Sequence, residues 1–123
     1  MGRKTWESIP LDKRPLSNRL NVILTKNKDF VPTFSLKPQY EPIVCSSLDQ
    51  ALQRLSENPN VAEIFVIGGQ SLFEESLTNF KHLCKLVIAT RINKDFEADV
   101  SMPEMDDNFT PLFISQTYSQ PKD

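Results

Sequence analysis

The stretch Ile64-Phe65-Val66-Ile67-Gly68-Gly69-Gln70-Ser71-Leu72-Phe73 decides how this chain is read. Its first four residues are apolar and largely β-branched, which predicts a buried central strand over residues 61–67. Two glycines follow, and Ser71, three residues before Glu74, reads as a capping box opening a helix over 71–80. Strand, glycine turn and helix start together form a geometry that collects a phosphate. Glycine lets a ligand approach the backbone, and the first unpaired N–H groups of the helix point at it. The chain contains three glycines in all, Gly2, Gly68 and Gly69, so the adjacent pair is conspicuous. The plainer alternative is a tight strand-to-helix connection with no ligand, because Gly-Gly alone is far weaker than a full phosphate-loop signature.

At 123 residues the chain suits one domain with a real core. Hydrophobic residues make up 39% and charged residues 24%, as expected for a globular protein. A net charge of −2 with no long run of one sign argues against general nucleic-acid binding. No apolar run approaches the length of a membrane span, and no secretory signal opens the sequence. The expected compartment is therefore the cytoplasm, with no membrane partner. Cys45 and Cys84 fall in neither metal nor redox spacing, and the lone His82 cannot build a histidine metal site, so no metal is expected. Two buried thiols fit best, with a single disulfide the less favoured alternative.

Outward from the glycines, the pattern alternates. Gly2-Arg3-Lys4-Thr5 reads as another helix start, ended by Pro10 at or before Ile9. Cations there oppose the helix macrodipole unless an anion joins them, so they mark either a second phosphate site or two solvated side chains. Residues 20–24 read as a strand, preceded by Arg19 and followed by Thr25 and Lys26. A guanidinium could clamp a carboxylate, and Thr25 with Lys26 could hold a phosphate where open α/β sheets put their ligands. Residues 30–42 contain three prolines and no helical period, so they form a long connection. Residues 42–45 read as a short strand. A helix follows, capped by Ser47 and Gln50, with Leu48, Ala51, Leu52 and Leu55 on one face and Asn58-Pro59 as its stop. Residues 83–92 read as a second long strand with the hydroxyl of Thr90 inside it, 95–99 as an acidic loop, and 110–118 as a last strand. Strands alternating with helices predict an α/β sheet with right-handed crossovers.

Several of these segments, in this order, resemble one family. Met1-Gly2-Arg3-Lys4-Thr5-Trp6-Glu7-Ser8-Ile9-Pro10, then Arg14-Pro15-Leu16, then Arg19-Leu20-Asn21-Val22-Ile23-Leu24-Thr25 look like the middle of dihydrofolate reductase. Ile67-Gly68-Gly69 with Gln70-Ser71-Leu72-Phe73, then Ala89-Thr90-Arg91-Ile92 with Asp95-Phe96-Glu97-Ala98-Asp99, look like its later segments. The resemblance covers nearly the whole chain. It implies an α/β fold, a mixed sheet flanked by helices, with residues 1–123 forming one partial reductase domain.

The resemblance also implies roles, residue by residue. NADPH would be held by Arg3, Lys4 and Thr5 at its phosphates, and by Thr25 and Lys26 at the 2′-phosphate. Ile67, Gly68, Gly69, Gln70, Ser71 and Leu72 would lie at the second helix start, where the family's Gly-Gly peptide is cis. Ser46 stands where many members have an arginine, which leaves Lys26 as the main charge at the adenosine end. On the substrate side, Arg19 would pair the α-carboxylate of dihydrofolate. Ile9 and Leu16 would contact its aminobenzoyl group, and Ile67 and Phe73 would lie around the pteridine and nicotinamide. Thr90 would support the family's catalytic carboxylate. The implied reaction is NADPH-dependent reduction of 7,8-dihydrofolate to 5,6,7,8-tetrahydrofolate, in one-carbon metabolism.

One departure changes the expectation. The family places a strand, an active-site loop and a helix with one Asp or Glu before the MGRKTW-like segment, and a further strand at its end. No residue here corresponds to that acid, and the counterpart of Glu7 faces away from the pteridine. The expectation is an incomplete domain: a fragment, a misplaced start, a splice form, or a piece of a bifunctional reductase–thymidylate synthase. Alone it should be weakly active or inactive. The competing readings are a non-catalytic NADPH- or folate-binding remnant and an α/β interaction domain whose glycines are only turns.

Overall fold

In the computed structural model the described residues are 1–95, 97–102, 109–111 and 115. Among them the elements are helix α1 (Arg3–Ser8), strand β1 (Val22–Leu24), strand β2 (Ile43–Cys45), helix α2 (Leu48–Ser56) and helix α3 (Gln70–Thr78). Short 3-10 turns lie at Leu11–Lys13 and Lys81–Leu83. The architecture is α/β. β1 and β2 pair in parallel, with Val22 opposite Ile43 and Leu24 opposite Cys45.

The ladder extends beyond its two named strands. The Met1 nitrogen donates to the Val22 carbonyl at 3.0 Å, and the Leu24 N–H donates to the Met1 carbonyl at 2.8 Å. Gly2 and Leu24 therefore form a parallel bridge. On its far side the Gly2 N–H donates to the Gly68 carbonyl at 2.8 Å. Four stretches of backbone thus lie side by side: β2, β1, residues 1–2, and Gly68. Burial holds the Met1 amino group below its ordinary pKa.

Side chains close over this ladder. Ile23, at the centre of β1, and Trp6, on α1, are both fully buried. α2 lays Leu48, Ala51 and Leu55 against the sheet, the helical stripe its sequence predicts, with Leu52 half-buried beside them. The Ser47 Oγ caps α2 by accepting the Gln50 N–H at 3.1 Å. The return arm of the expected capping box lands one residue early: Gln50 Oε1 accepts from the N–H and Oγ of Ser46, at 2.7 and 3.0 Å. α1 stops at Ser8 with Ile9 as its C-cap, as Pro10 requires.

The connection before β1 is held by one buried amide. Asn21, 2% exposed, accepts from the Leu16 N–H and donates to the Leu16 and Arg19 carbonyls, at 2.9, 2.9 and 3.1 Å. Asn18 takes a positive φ of 60°, a left-handed conformation that asparagine tolerates. The long connection packs back on this segment: Ser35 N–H donates to Leu11 O and Leu36 N–H to Arg14 O, each at 3.2 Å. The Arg14 guanidinium lies 5.5 Å from the centre of the Trp6 ring.

Two expected strands are absent from the described residues. Residues 61–67 carry no ladder, and Phe65 is 69% exposed where a buried strand was expected. Residues 83–92 begin in a 3-10 turn and then run unpaired, with Ile88 80% exposed. The reason is the same for both. An apolar run supplies β-propensity, but a strand also needs neighbouring backbone to accept its hydrogen bonds and cover its side chains. Among the described residues nothing takes that place. Most of the expected strand over 110–118, and Phe96 of the acidic loop, lie outside the described residues. Cys45 and Cys84 are free thiols, the first buried and the second half-buried.

Exposed apolar stretches with unpaired backbone recruit other chains. The purified chain is expected to associate as its concentration rises. Light scattering coupled to gel filtration checks this, and a constant mass of 14.1 kDa across the range would contradict it.

Candidate functional site

Two helix starts meet at one seam. Gly2 is the N-cap of α1 and Gly69 the N-cap of α3, and neither helix start has a side-chain cap. A Cβ built on Gly2 would stand 3.8 Å from the Gly69 nitrogen. The first intrahelical bonds run from Trp6 N–H to Gly2 O at 3.1 Å and from Phe73 N–H to Gly69 O at 3.0 Å. The N–H groups before them, at residues 3–5 and 70–72, have no acceptor within their own helices. Two sets of N–H groups without intrahelical acceptors, each at the positive end of a helix dipole, therefore start side by side.

The glycines make the seam possible in different ways. Gly68 is buried, with φ of +121°, a region side chains rarely adopt. A Cβ there would meet Thr5 Oγ1 at 3.5 Å and the Phe73 ring at 3.6 Å, which is ordinary contact, so conformation rather than space demands glycine. The Gly68–Gly69 peptide is cis, as the resemblance implies. Thr5 Oγ1 also faces Gly69, 3.6 Å from where its Cβ would be. Thr5, Gly68, Gly69 and Phe73 are thus brought together.

The expected capping box at Ser71 and Glu74 is not formed. α3 begins at Gln70, which makes Ser71 the second helical residue with its side chain exposed, and Glu74 instead accepts from Gln70 Nε2 at 3.0 Å. The backbone turn at Gly69 starts the helix, so a serine cap is unnecessary. Leu72 is the buried anchor of α3. At the other helix start, Arg3 finds an acid in its own helix: its Nη1 lies 3.5 Å from Glu7 Oε1, with both side chains more than two-fifths exposed. That contact is worth ~0–1 kcal/mol in water and only partly offsets the misplaced charge. Lys4 is exposed, with no ion pair among the described residues.

Parallel strands put their carboxyl ends on one edge. Thr25 leaves β1 beside Cys45, donating its N–H to the Cys45 carbonyl at 3.0 Å, and Ser46 leaves β2 next to it. Since Gly2 bridges Leu24 in parallel, Arg3 leaves at the same edge. The Thr25 hydroxyl accepts the Asn27 N–H at 3.2 Å, holding the turn that carries the exposed Lys26. Arg3, Lys4, Thr5, Thr25 and Lys26 therefore share the edge where open α/β sheets place ligands.

Leu16 and Arg19 line a separate cavity of about 170 Å³ with residues 36–40. The Arg19 Nε donates to the Ser17 carbonyl at 2.7 Å, which orients its guanidinium. Ile9 is half-buried at the end of α1. Ile67 is 44% exposed beside the seam. Thr90 does not occupy the expected place inside a strand. It is exposed on the unpaired stretch and hydrogen-bonds no described residue, because the ladder that would orient it is absent there. Sequence reasoning missed the bridging role of residues 1–2, which are too short for any periodicity. It also missed the approach of Lys37 and Tyr40 to Arg19, for which the proline-rich connection carried no signal.

Comparisons with known proteins give the family of the chain. A family model described as dihydrofolate reductase matches residues 1–122. The chain is 40% identical over 119 residues to the bifunctional dihydrofolate reductase-thymidylate synthase of Glycine max, covering 94% of this chain and 21% of that protein. It is 38% identical over 112 residues to the dihydrofolate reductase of Aedes albopictus, covering 89% and 56%. It is 37% identical over 110 residues to that of Sus scrofa, covering 86% and 54%. The chain thus spans about half the length of these stand-alone relatives and about a fifth of the bifunctional one.

The two turn glycines should differ on substitution. Gly68→Ala is expected to destabilise the chain by about 1–3 kcal/mol, the cost of a side chain in a sparsely populated conformation. Gly69→Ala, at a φ of −83°, should cost under about 1 kcal/mol. Urea unfolding of both variants checks the order.

Proposed function

The chain belongs to the dihydrofolate reductase family, and from that premise we propose that it forms the NADPH cradle and the substrate-tail site of a protein reducing 7,8-dihydrofolate to 5,6,7,8-tetrahydrofolate. The observation that carries the proposal is the meeting of two uncapped helix starts at Gly2 and Gly69. A dinucleotide presents successive phosphates, and paired N–H clusters answer more than one of them.

The residues present fit such a group. Arg3, Lys4 and Thr5 would hold one phosphate region. The backbone of Gly68, Gly69, Gln70, Ser71 and Leu72 would hold the other, with Ile67 beside it. Thr25 and Lys26 stand at the same edge, where a 2′-phosphate would select the phosphorylated cofactor. When bound, NADPH supplies the hydride. Phe73, over Gly68, would wall the ring and exclude water, and Thr5 would fix the approach of the two helices.

On the substrate side Arg19 would clamp the α-carboxylate, with its Nε already bound to Ser17 O and its Nη groups left for the ligand. Leu16 and Ile9 would supply apolar contact, and Thr90 a supporting hydroxyl in a completed pocket. Holding two rings face to face contributes much of the rate of such a transfer. No residue assigned to either ligand is a carboxylic acid, so this chain is given binding and orientation, and protonation of the substrate is assigned to none of its residues. A second reading, a piece of a bifunctional reductase–thymidylate synthase, is supported by the soybean relative. Among the described residues no helix is long and apolar enough to cross a membrane.

Arg19→Ala is expected to weaken folate binding by roughly 10-fold or more, the worth of a charge-assisted bidentate pair, and to leave NADPH binding within about 2-fold. Calorimetric titration with each ligand checks this. Equal losses for both ligands would contradict the assignment.

A further inference from the structure

The edge where Thr25 and Ser46 leave the two strands is poor in donors. Ser46 has two, its N–H and its hydroxyl, and both are turned onto Gln50 Oε1, at 2.7 and 3.0 Å. A backbone N–H can only donate, so it fixes which end of the Gln50 amide faces Ser46. With its hydrogen committed, the Ser46 hydroxyl has only lone pairs left to offer a ligand. Gln50 is held in turn through its own backbone N–H, which donates to Ser47 Oγ at 3.1 Å. The Thr25 and Ser47 hydroxyls each accept an N–H and keep an O–H, a neutral donor that serves a phosphate and a hydroxyl alike. Positive charge is sparse here too. Lys26 is exposed, and the exposed Lys28 precedes Asp29. Asp49, also exposed, lies in the first turn of α2, close after Ser46 and Ser47. Arg3 and Lys4 leave on the other side of β1, away from β2 and Ser46.

We infer that Gln50 makes this edge nearly indifferent to the 2′ group of the cofactor's adenosine ribose, so that the chain takes the dinucleotide with a free 2′-hydroxyl, NADH, almost as well as NADPH. The inference rests on the dinucleotide reading given above and adds a specificity residue to it. A 2′-phosphate is an anion rich in acceptor oxygens. It meets the lone pairs of Ser46 with its own, and the charge of Asp49 with like charge. Lys26 answers it, but an exposed pair of that kind gains little in water. A 2′-hydroxyl instead donates to the Ser46 oxygen, the contact that an acceptor near a strand end makes with a ribose. Gln50 thus works through Ser46 as a positioning residue, deciding whether Ser46 shows the ligand its donors or its lone pairs.

The test is calorimetric titration of the whole chain with NADPH and with NADH, using wild type, Gln50→Ala and Gln50→Glu. Wild type is expected to prefer NADPH by less than about 10-fold, the reach of one exposed charge pair, and the preference should shrink at high salt. Gln50→Ala releases both Ser46 donors to the ligand and should raise the NADPH-to-NADH ratio by roughly 3-fold or more. Gln50→Glu keeps the acceptor on Ser46 and adds a negative charge, so it should lower the ratio. A residue that merely steadied α2 would weaken both dinucleotides alike and leave the ratio unchanged. A wild-type preference above 10-fold, or a ratio that does not move in opposite directions in the two variants, would overturn the inference while leaving the dinucleotide reading intact. Failure of both dinucleotides to bind would overturn both.

Discussion

The hydrogen bond from the Gly2 N–H to the Gly68 carbonyl, at 2.8 Å, is the contact on which the site depends. Gly2 is held on its other side by the ladder: Met1 reaches Val22 and Leu24 through backbone bonds of 3.0 and 2.8 Å. Two residues therefore tie β1, with its buried centre Ile23, to a glycine turn more than forty positions further along the chain. Each end of the tie launches a helix. Without it α1 and α3 would be separate short helices, each with free N–H groups facing water. With it the two helix starts lie side by side, with Thr5 close to both Gly68 and Gly69 and Phe73 close to Gly68.

Direction matters as much as proximity. Because residues 1–2, β1 and β2 run in parallel, everything that follows them emerges at one edge. That edge collects Arg3, Lys4, Thr25, Lys26 and Ser46. A chain of nearly balanced charge, −2 overall, can in this way build a local cationic rim without becoming a general polyanion binder. Arg19 and Lys37 sit apart from that rim, in their own cavity. The fold thus separates two groups of cations, one at the strand edge and one in the cavity, and the proposed function assigns the first to cofactor phosphates and the second to the substrate tail.

How much of this was legible in the sequence varied with the range of the interaction. α2 was legible because its causes are local: the Ser47 cap, the stripe of Leu48, Ala51 and Leu55, and the Asn58-Pro59 stop. The α1 start and its end before Pro10 were legible for the same reason. The strands over 61–67 and 83–92 were misread because periodicity reports what a segment could bury, not whether a neighbour is there to bury it. Ser71 was misread because a glycine turn can begin a helix without a side-chain cap. The resemblance supplied what local rules could not, pairing Gly2–Thr5 with the Gly68-Gly69 turn across the chain. Neither route indicated that Lys37 approaches Arg19, which follows from backbone bonds joining residues 11–14 to 35–36.

The central claim is that one ligand, NADPH, is held by both helix starts at once. Backbone amide chemical shifts, followed as NADPH is added to the labelled chain, test it directly. The account predicts that the amides of Gly2, Arg3, Lys4, Gly69, Gln70 and Ser71 move together and fit a single dissociation constant. Movement at only one helix start, or different constants for the two, would contradict it.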